Sequence, residues 1–368
     1  MAHLTSFGVE NFKRFERFSM NNLGQINLLW GDNNVGKTSI LEALLFHPDP
    51  HIFKHRLLTN LFVFRNFDDI TRSYWLYYAN SLNVQDGVGS VHFRTKYLTS
   101  AEFVDSLTFF KDSHTTWIRA DFTTRVDNSV IADNPDELFM SNTLTPRMDG
   151  TFRFDGSIKF DGKFYPHPEM PLIPFFLGYE HRLTKKYTHH IQRFASLAEQ
   201  MKEDLRCMIP TITDILVEPN ETSPNNPILL IRQKGQDLAM PLGTFGDGAI
   251  KLFRILLEII VHKGERLMID EIDSGVHVSR FHDFWRTILK AASKHEVQIF
   301  ATTHNWECLQ FFKEVLEEEE EMQPLQEKAR GIKLTTDKEG STQAITYTFE
   351  QFQHAINHHI DPRAVMRV

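Results

Sequence analysis

The feature that most constrains the fold of this chain is a glycine-rich stretch near its start, GDNNVGKTS at residues 31–39. The apolar run INLLW precedes it, and the helical pattern ILEALLF follows at once. Gly31, four intervening residues and then Gly36-Lys37-Thr38 match the phosphate loop that joins a strand to a helix. Strand, loop and helix together favour a sheet of parallel strands with helices on its faces. The stretch therefore predicts an α/β nucleotide-binding fold.

Each residue type in this loop meets a demand of phosphate binding. Backbone N–H groups must point at the phosphates, and glycines let the backbone approach them closely. The lysine brings a positive charge to the β and γ phosphates, and the threonine hydroxyl is a ligand for magnesium. We therefore expect ATP and Mg2+ as cofactors, because a plain glycine turn would not explain both motif and context. The predicted nucleotide-binding residues of the loop are Gly31, Asn33, Asn34, Gly36, Lys37, Thr38 and Ser39.

A second run, RLMIDEIDSGVH at residues 266–277, fits the other half of such a site. Asp270 at the end of an apolar strand can hold magnesium together with Thr38, and Glu271 beside it can polarise the attacking water. Alone, a strand that ends in two acids could simply run into a solvated turn. The presence of the phosphate loop in the same chain favours the functional interpretation.

The sequence pattern changes twice in the rest of the chain. Residues 51–176 form short alternating segments rich in Phe, Tyr and Thr, which favour antiparallel β structure, and Asp155-Gly156 predicts a hairpin turn there. The periodicity becomes helical from His181 to about Met208. Strands and helices then alternate, which implies a parallel sheet with crossovers. We therefore predict three segments: a nucleotide-binding lobe with the β-rich insertion at 1–176, a helical lobe or lid at 177–245, and the rest of the same nucleotide-binding domain with its C-terminal tail at 246–368.

Composition bounds the location and the partners of the protein. The 368 residues contain 41% hydrophobic residues, enough for a sizeable core. No apolar run reaches the roughly 18 residues of a membrane span, and the N-terminus lacks the apolar core of a signal peptide, so we expect a cytoplasmic protein without a membrane contact. Cys207 and Cys308 form no CxxC pair. The net charge of −8 argues against a broadly basic nucleic-acid surface.

Two weaker constellations were weighed. A basic helical patch could contact phosphates of DNA or RNA, although a solvated helix face is the simpler interpretation. Three histidines spaced by four lie near residue 50, but prolines break the helix that would align them, so we expect no metal there. The patch contains His181, Arg182, Lys185, Lys186, His189, His190 and Arg193, and the spaced histidines are His47, His51 and His55.

The order of four motifs carries a family resemblance. The phosphate loop, Gly246-Asp247-Gly248 at a helix start, RLMIDEIDSGVH and ATTHN at residues 301–305 follow one another along the chain. In this order the chain resembles ABC-type ATPases of the RecF, SMC and OLD group, and most of all small stand-alone AAA-type ATPases of bacterial phage-defence operons. The resemblance implies an α/β P-loop NTPase of ABC-ATPase type, with a mixed sheet, an antiparallel β-rich insertion and a helical lobe.

The resemblance also implies roles for single residues. Gly246, Asp247 and Gly248 match the signature motif, which in a head-to-tail dimer caps the γ-phosphate held by the other subunit, and a glycine-rich helix start suits an anion. Asp247 is an acid near a triphosphate, and Lys251 is a candidate to compensate it. His304 matches the switch histidine. Ser274-Gly275 matches the dimer-contact loop, and the predicted catalytic residues are Lys37, Glu271 and His304.

Departures from the family pattern shape the functional hypotheses. A magnesium-sensing glutamine is missing near residues 177–180, where Glu180 is a candidate substitute, and the 64 residues after His304 leave no room for a Toprim nuclease. We therefore expect a homodimer or higher oligomer that controls a separate effector, a Toprim or other nuclease or a toxin, in antiphage defence. The alternatives are a RecF-like DNA-binding repair clamp and a scaffold or antitoxin that holds a toxic partner.

Overall fold

The computed structural model describes most of the chain outside the segment that follows the first helix. The described residues are 3–47, 52, 56, 88–97, 102–111, 118–126, 129–134, 144–146, 152–154, 159–160, 163–164, 170–175, 181–220, 223–337 and 340–358. Within them, no helix is both long and apolar enough to cross a membrane.

The strands are numbered in chain order, and most of them belong to two six-stranded sheets. They are β1 (Leu4–Phe12), β2 (Phe15–Asn21), β3 (Ile26–Gly31), β4 (Val88–Tyr97), β5 (Glu102–Lys111), β6 (Ile118–Val126), β7 (Ser129–Asn134), β8 (Leu144–Pro146), β9 (Phe152–Phe154), β10 (Lys159–Phe160), β11 (Lys163–Phe164), β12 (Leu172–Ile173), β13 (Ile212–Asn220), β14 (Ser223–Gln233), β15 (Met240–Pro241), β16 (Arg266–Ile269), β17 (Gln298–Thr302), β18 (Ala329–Thr336) and β19 (Thr342–Thr348).

The helices follow the same scheme. They are α1 (Lys37–Ala43), α2 (His181–Tyr187), α3 (Ala195–Leu205), α4 (Asp247–Val261), α5 (Phe281–Lys294), α6 (Trp306–Glu318), α7 (Gln323–Gln326) and α8 (Phe349–Asn357).

The central sheet carries the phosphate loop. Its order is β12-β16-β17-β3-β18-β19, in which the first five strands are parallel and β19 runs antiparallel. Because β3, β17 and β16 are neighbours, the segments that follow them meet at one edge of the sheet. This mixed sheet with helices confirms the predicted α/β fold.

Both faces of the central sheet are covered, and strand alternation decides which residue enters which core. Leu28 and Trp30 of β3 pack into the cluster formed with the later helices, whereas Leu29 packs with α1 and the β1–β2 hairpin. Met268 of β16 and Phe300 of β17 alternate with their neighbours in the same way. Strands buried on two faces are apolar throughout, which explains the continuous runs INLLW and RLMI.

The run LTSFGVENFKRF at residues 4–15 predicts a single strand, but the structure divides it into the hairpin of β1 and β2. Phe12 pairs with Phe15 across a two-residue turn, in which Lys13 has a left-handed φ of 53°. The Lys13 ammonium pairs with Glu42 of α1, which ties the turn to the helix after the phosphate loop. The hairpin continues into an antiparallel sheet of order β2-β1-β4-β5-β6-β7, so the β-rich insertion extends the first strands of the chain.

Strand pairing differs from the prediction at residues 152–164. The Asp155-Gly156 turn was expected to pair residues 152–154 with residues 158–160. Instead, β9 pairs with β8 and β10 pairs with β11, while the turn itself lies outside the described residues.

The segment predicted as a helical lobe is helical only in its first half. Here α2 continues into a π-helical turn, Thr188–Gln192, before α3 begins. A three-stranded antiparallel sheet, β13-β14-β15, occupies the second half. In β14, apolar residues such as Leu229 and Ile231 alternate along the strand and are buried, and this period of two is the sequence pattern that indicates a strand.

Candidate nucleotide-binding site

The phosphate loop connects β3 to α1, and close packing explains its two glycines. A Cβ on Gly31 would lie 2.4 Å from the Leu334 carbonyl oxygen, and one on Gly36 would lie 2.7 Å from the Phe15 ring. Gly36 also has a left-handed φ of 97°. Strand β18 and the β1–β2 hairpin therefore support the loop from two sides. Asn33 and Asn34 are exposed at its tip, and Ser39 is half-buried in α1.

The Lys37 side chain folds back over the loop. Its ammonium donates to the carbonyl oxygens of Gly31, at 2.8 Å, and of Asp32, at 3.0 Å. Burial lowers the pKa of Lys37, while the nearby carboxylates of Asp270 and Glu271 act in the opposite direction. The ammonium can thus turn to phosphate oxygens by exchanging neutral acceptors for charged ones.

The phosphate loop and the acidic strand end meet in one hydrogen bond. The Thr38 hydroxyl donates to Asp270 Oδ2 at 2.8 Å, although the two residues are 232 positions apart. A hydroxyl and a carboxylate are oxygen ligands that suit magnesium. Among the described residues no group of three or more His, Cys, Asp or Glu could hold a metal alone. A magnesium ion here would therefore complete its shell with phosphate oxygens and water.

Glu271 and His304 follow neighbouring strands and face each other. Their Oε1 and Nδ1 atoms are 4.0 Å apart, and both side chains are partly exposed, at 34% and 56%. Glu271 adopts a left-handed φ of 44°, which is uncommon for a residue with a side chain. A partly exposed acid beside Asp270 can orient a water molecule for attack on a phosphate.

Gly246-Asp247-Gly248, called the signature turn below, is packed against the loop that follows Asp270 and Glu271. A Cβ on Gly248 would lie 3.0 Å from the Gly275 carbonyl oxygen, and one on Gly275 would lie 2.7 Å from the Asp247 side chain. Gly246 precedes α4 with a left-handed φ of 85°, and a Cβ there would have no atom within 4 Å. Gly246 and Asp247 are exposed. The start of α4 therefore presents an open surface of backbone N–H groups.

Lys251 lies one turn into α4 and points inward. Its ammonium donates to the backbone oxygen of Asp270, at 3.1 Å, and to the hydroxyl of Ser274, at 3.2 Å. Burial lowers the pKa of Lys251 to about 8, against the influence of Asp270 and Asp273. The suggested compensation of Asp247 by Lys251 is therefore wrong for this geometry, because Lys251 joins the signature helix to the acidic segment.

A cleft of about 270 Å³ borders the outer side of the phosphate loop. Its two basic residues, Arg14 and Lys333, come from the β1–β2 turn and from β18 and are far apart in sequence, so no sequence pattern connects them. The cleft is lined by Arg14, Asp32, Asn33, Asn34, Val35, Lys333, Leu334, Thr335 and Thr336.

Part of the basic patch is occupied by an internal ion pair. Lys186 donates to both carboxylate oxygens of Glu258, at 2.8 and 2.9 Å. Burial would raise the pKa of Glu258, but Lys186 and His262 lower it to about 2. Lys185, His189 and Arg193 are exposed. Other predicted positions, among them Glu180, His51 and His55 and the side chains of His181 and Arg182, lie outside the described residues.

Two protein families match this chain in overlapping segments. Residues 3–164 match the family described as "AAA ATPase domain". Residues 149–308 match the family described as "AAA domain, putative AbiEii toxin, Type IV TA system". Together the two matches include the phosphate loop, the signature turn, the acids and His304.

Two individual proteins are similar in sequence to this chain. An ATP/GTP phosphatase of Helicobacter pylori is 20% identical in an alignment of 354 positions that covers 86% of this chain and 89% of the relative. An uncharacterized protein of Methanocaldococcus jannaschii, MJECL10, is 35% identical over 83 residues, which are 22% of this chain and 38% of that protein.

Solved structures share the fold. An SMC head bound to the C-terminal winged-helix domain of ScpA superposes with a TM-score of 0.54 at 12% identity, over 95% of this chain and 98% of the other. The SMC head of Pyrococcus furiosus with an extended coiled coil reaches 0.50 at 8% identity, over 98% of this chain and 100% of the other.

Proposed function

We propose, from the premise that this chain is an AAA ATPase of the ABC and SMC-like type that hydrolyses ATP, that two copies close head to tail around two Mg-ATP. The observation that carries the proposal is the hydrogen bond between Thr38 and Asp270, which joins the loop and the acids into one half-site. The exposed start of α4 in the second copy supplies the other half. A cytoplasmic location belongs to the same proposal.

Within this dimer each residue has a defined task. Lys37 contacts the β and γ phosphates, while Thr38 and Asp270 would hold magnesium, which would neutralise charge on the phosphates. Glu271 accepts a hydrogen bond from the attacking water, whose oxygen bonds to the γ phosphorus as the bond to the β-phosphate oxygen breaks. His304 lies beside Glu271 and contacts the γ-phosphate. Gly246 and Gly248 of the second copy donate backbone N–H groups to the same phosphate.

Replacing the general base tests this assignment. Glu271→Gln keeps the shape of the side chain but is a poor base, so phosphate release should fall by about 10²-fold or more. ATP binding and ATP-dependent dimerisation, measured by light scattering, should persist. Glu350→Gln, an exposed glutamate on α8, is the matched control. Unchanged hydrolysis in the Glu271 variant would remove the proposed role.

The ATP-closed dimer is proposed to control a separately encoded effector, a nuclease or a toxin, in antiphage defence. The family match to toxin–antitoxin AAA domains supports a partner encoded nearby. Cells that carry this gene with its neighbour should show fewer plaques than cells that carry Lys37→Ala in the same operon. Equal plaque numbers over a broad set of phages would count against a role in defence.

A second candidate places the chain in a toxin–antitoxin pair, which the same family description favours. Expression of each neighbouring gene alone and of both together distinguishes the two. Growth arrest by one gene, relieved by the other in the absence of phage, supports this second function.

A RecF-like DNA clamp can be tested on the exposed part of the basic patch. Lys185 and Arg193 are the residues to neutralise, because Lys186 is engaged with Glu258. If each contacts a phosphate, the double variant should lower the slope of log affinity against log salt by about two. Lys234→Ala, an exposed lysine in the loop after β14, is the control. DNA binding that requires neither ATP nor Lys185 and Arg193 would remove this candidate.

A further inference from the structure

Two adjacent threonines at the end of β17 hold four successive residues of the acidic segment. The Thr302 hydroxyl donates to Asp270 Oδ1 at 2.7 Å and accepts from the Glu271 amide at 2.9 Å. The Thr302 carbonyl oxygen accepts from the Ile272 amide at 2.9 Å. The Thr303 hydroxyl then donates to Asp273 Oδ1 at 2.7 Å. Neither threonine is exposed.

The two neighbours of the Thr302 hydroxyl determine which hydrogen bond it accepts and which it donates. A backbone amide can only donate, so the hydroxyl must accept from Glu271. Its single proton is then free for the carboxylate of Asp270. Serine can reproduce both bonds, whereas alanine and valine can make neither. One buried hydroxyl therefore sets the geometry of two consecutive acids at once.

Glu271 depends on this support more than an ordinary residue would. Its φ of 44° lies in the left-handed region, and such a conformation persists only where the surrounding structure holds it. The bond from its amide to Thr302 restrains one side of the residue, and a bond from the Ser274 amide to its carbonyl oxygen, at 2.9 Å, restrains the other. The direction of the Glu271 side chain follows from this backbone conformation.

We infer that Thr302 is a positioning residue for ATP hydrolysis, whose hydroxyl fixes the Glu271 backbone and thereby aims the carboxylate at the attacking water. This inference rests on the proposed role of Glu271 as the general base. It also explains how β17, which His304 follows, is coupled to the acids that follow the neighbouring strand β16. Thr303 supports the next turn, since it holds Asp273 and accepts from the Asn305 amide at 3.0 Å.

The test compares Thr302→Ser with Thr302→Ala, which differ only in the hydroxyl. Thr302→Ser should keep kcat within about threefold of the natural protein. Thr302→Ala should lower kcat by about tenfold or more with KM little changed, because misplacing a reacting group costs rate rather than substrate binding. The pair Thr303→Ser and Thr303→Ala is the matched control, and its difference should be smaller. Equal rates for Thr302→Ser and Thr302→Ala overturn the inference.

A double-mutant cycle separates positioning from general stability. At saturating Mg2+, Thr302→Ala should slow Glu271→Gln by less than about twofold, because the hydroxyl acts through the missing carboxylate. A full multiplicative loss in the double variant overturns the inference. If Glu271→Gln alone keeps the natural rate, the proposed general base fails instead. Thr302→Val preserves the side-chain volume and repeats the test should Thr302→Ala unfold.

Discussion

The phosphate loop and the signature turn are both rich in glycine, but the surroundings of their glycines differ. Side chains or backbone of the same chain crowd Gly31 and Gly36 so closely that a Cβ would collide with Leu334 or Phe15. At Gly246 a Cβ would meet nothing within 4 Å. The loop is thus enclosed by its own chain, whereas the outer end of the signature turn faces open space.

ATP hydrolysis requires a surface that binds the nucleotide and a second surface that closes over its phosphates. Each of the two regions is suited to one of these tasks. One chain already brings together the loop, Asp270 and Glu271, so a single copy is equipped to bind nucleotide. The open signature turn is suited to contact a nucleotide that another copy of the chain has bound. Variants of the two regions should therefore fail in different ways, and each prediction below tests that contrast.

The largest effect is expected in the enclosed region. Lys37→Ala removes the charge over the loop, so phosphate release should fall by roughly 10²- to 10³-fold and nucleotide binding should weaken in the single chain. Lys290→Ala, a lysine of α5 that pairs with Glu321, is the control. Normal binding of ATP to Lys37→Ala, measured by calorimetry, would contradict the assigned contact.

Gly246→Glu should differ from Lys37→Ala in its effect on ATP binding. Its carboxylate would enter open space where the partner's γ-phosphate is expected, so hydrolysis should fall by about 10²-fold while single-chain ATP binding persists. Gly246→Ala is the matched control, because it shares the strain at φ 85° without the charge.

Mixing the two inactive variants sharpens this test. In an equal mixture of Lys37→Ala and Gly246→Glu, half of the dimers are mixed and each has one intact site of two, so about a quarter of the natural activity should return. Activity that stays at the level of the separate variants would argue against shared sites.

Lys251 joins the two regions, and its loss should uncouple them. Lys251→Met fills the buried space without bonding Asp270 or Ser274. We expect kcat to fall by about tenfold while ATP binding changes little, because the signature helix is no longer fixed to the acids. Lys263→Met, exposed just after the same helix, is the control. A parallel loss of binding would place the effect in the enclosed region instead.

The smallest effect is expected at the C-terminal hairpin. The Thr342 hydroxyl of β19 donates to the Val35 carbonyl oxygen in the phosphate loop at 3.0 Å. Thr342→Val removes one hydrogen bond worth about 1 kcal/mol, so ATP affinity should fall by about fivefold. Thr346→Val on the same strand should leave affinity unchanged. Loss of hydrolysis without loss of affinity would contradict a role confined to the loop.

The sequence was sufficient where backbone chemistry dictates residue type and spacing. Gly31, Gly36 and Lys37 could be assigned because phosphate binding restricts each position, and the acids followed from an apolar strand that ends in charge. The order β16-β17-β3 could not be obtained in this way. Spacing along a chain does not specify which strands are neighbours, so the bond that Thr302 donates to Asp270 and the bond that it accepts from Glu271 could not be predicted.

Local turns and helix placement account for the remaining differences. The turn at Lys13 has neither glycine nor asparagine at its left-handed position, so residues 4–15 resembled one strand. Lys251 was a candidate to compensate Asp247 because an acid near a triphosphate requires a nearby positive charge. Tertiary packing directs its ammonium to Asp270 and Ser274 instead, and no local pattern contains that information.

The left-handed backbone at Glu271 has a consequence for selection. A residue with a side chain pays roughly 1 kcal/mol or more for this conformation, whereas glycine adopts it freely. Glu271→Gly should therefore resist heat better than the natural protein while it hydrolyses ATP poorly. A search for thermostable variants that ignored activity would discard this acid early, so stability and turnover are opposed at this single position.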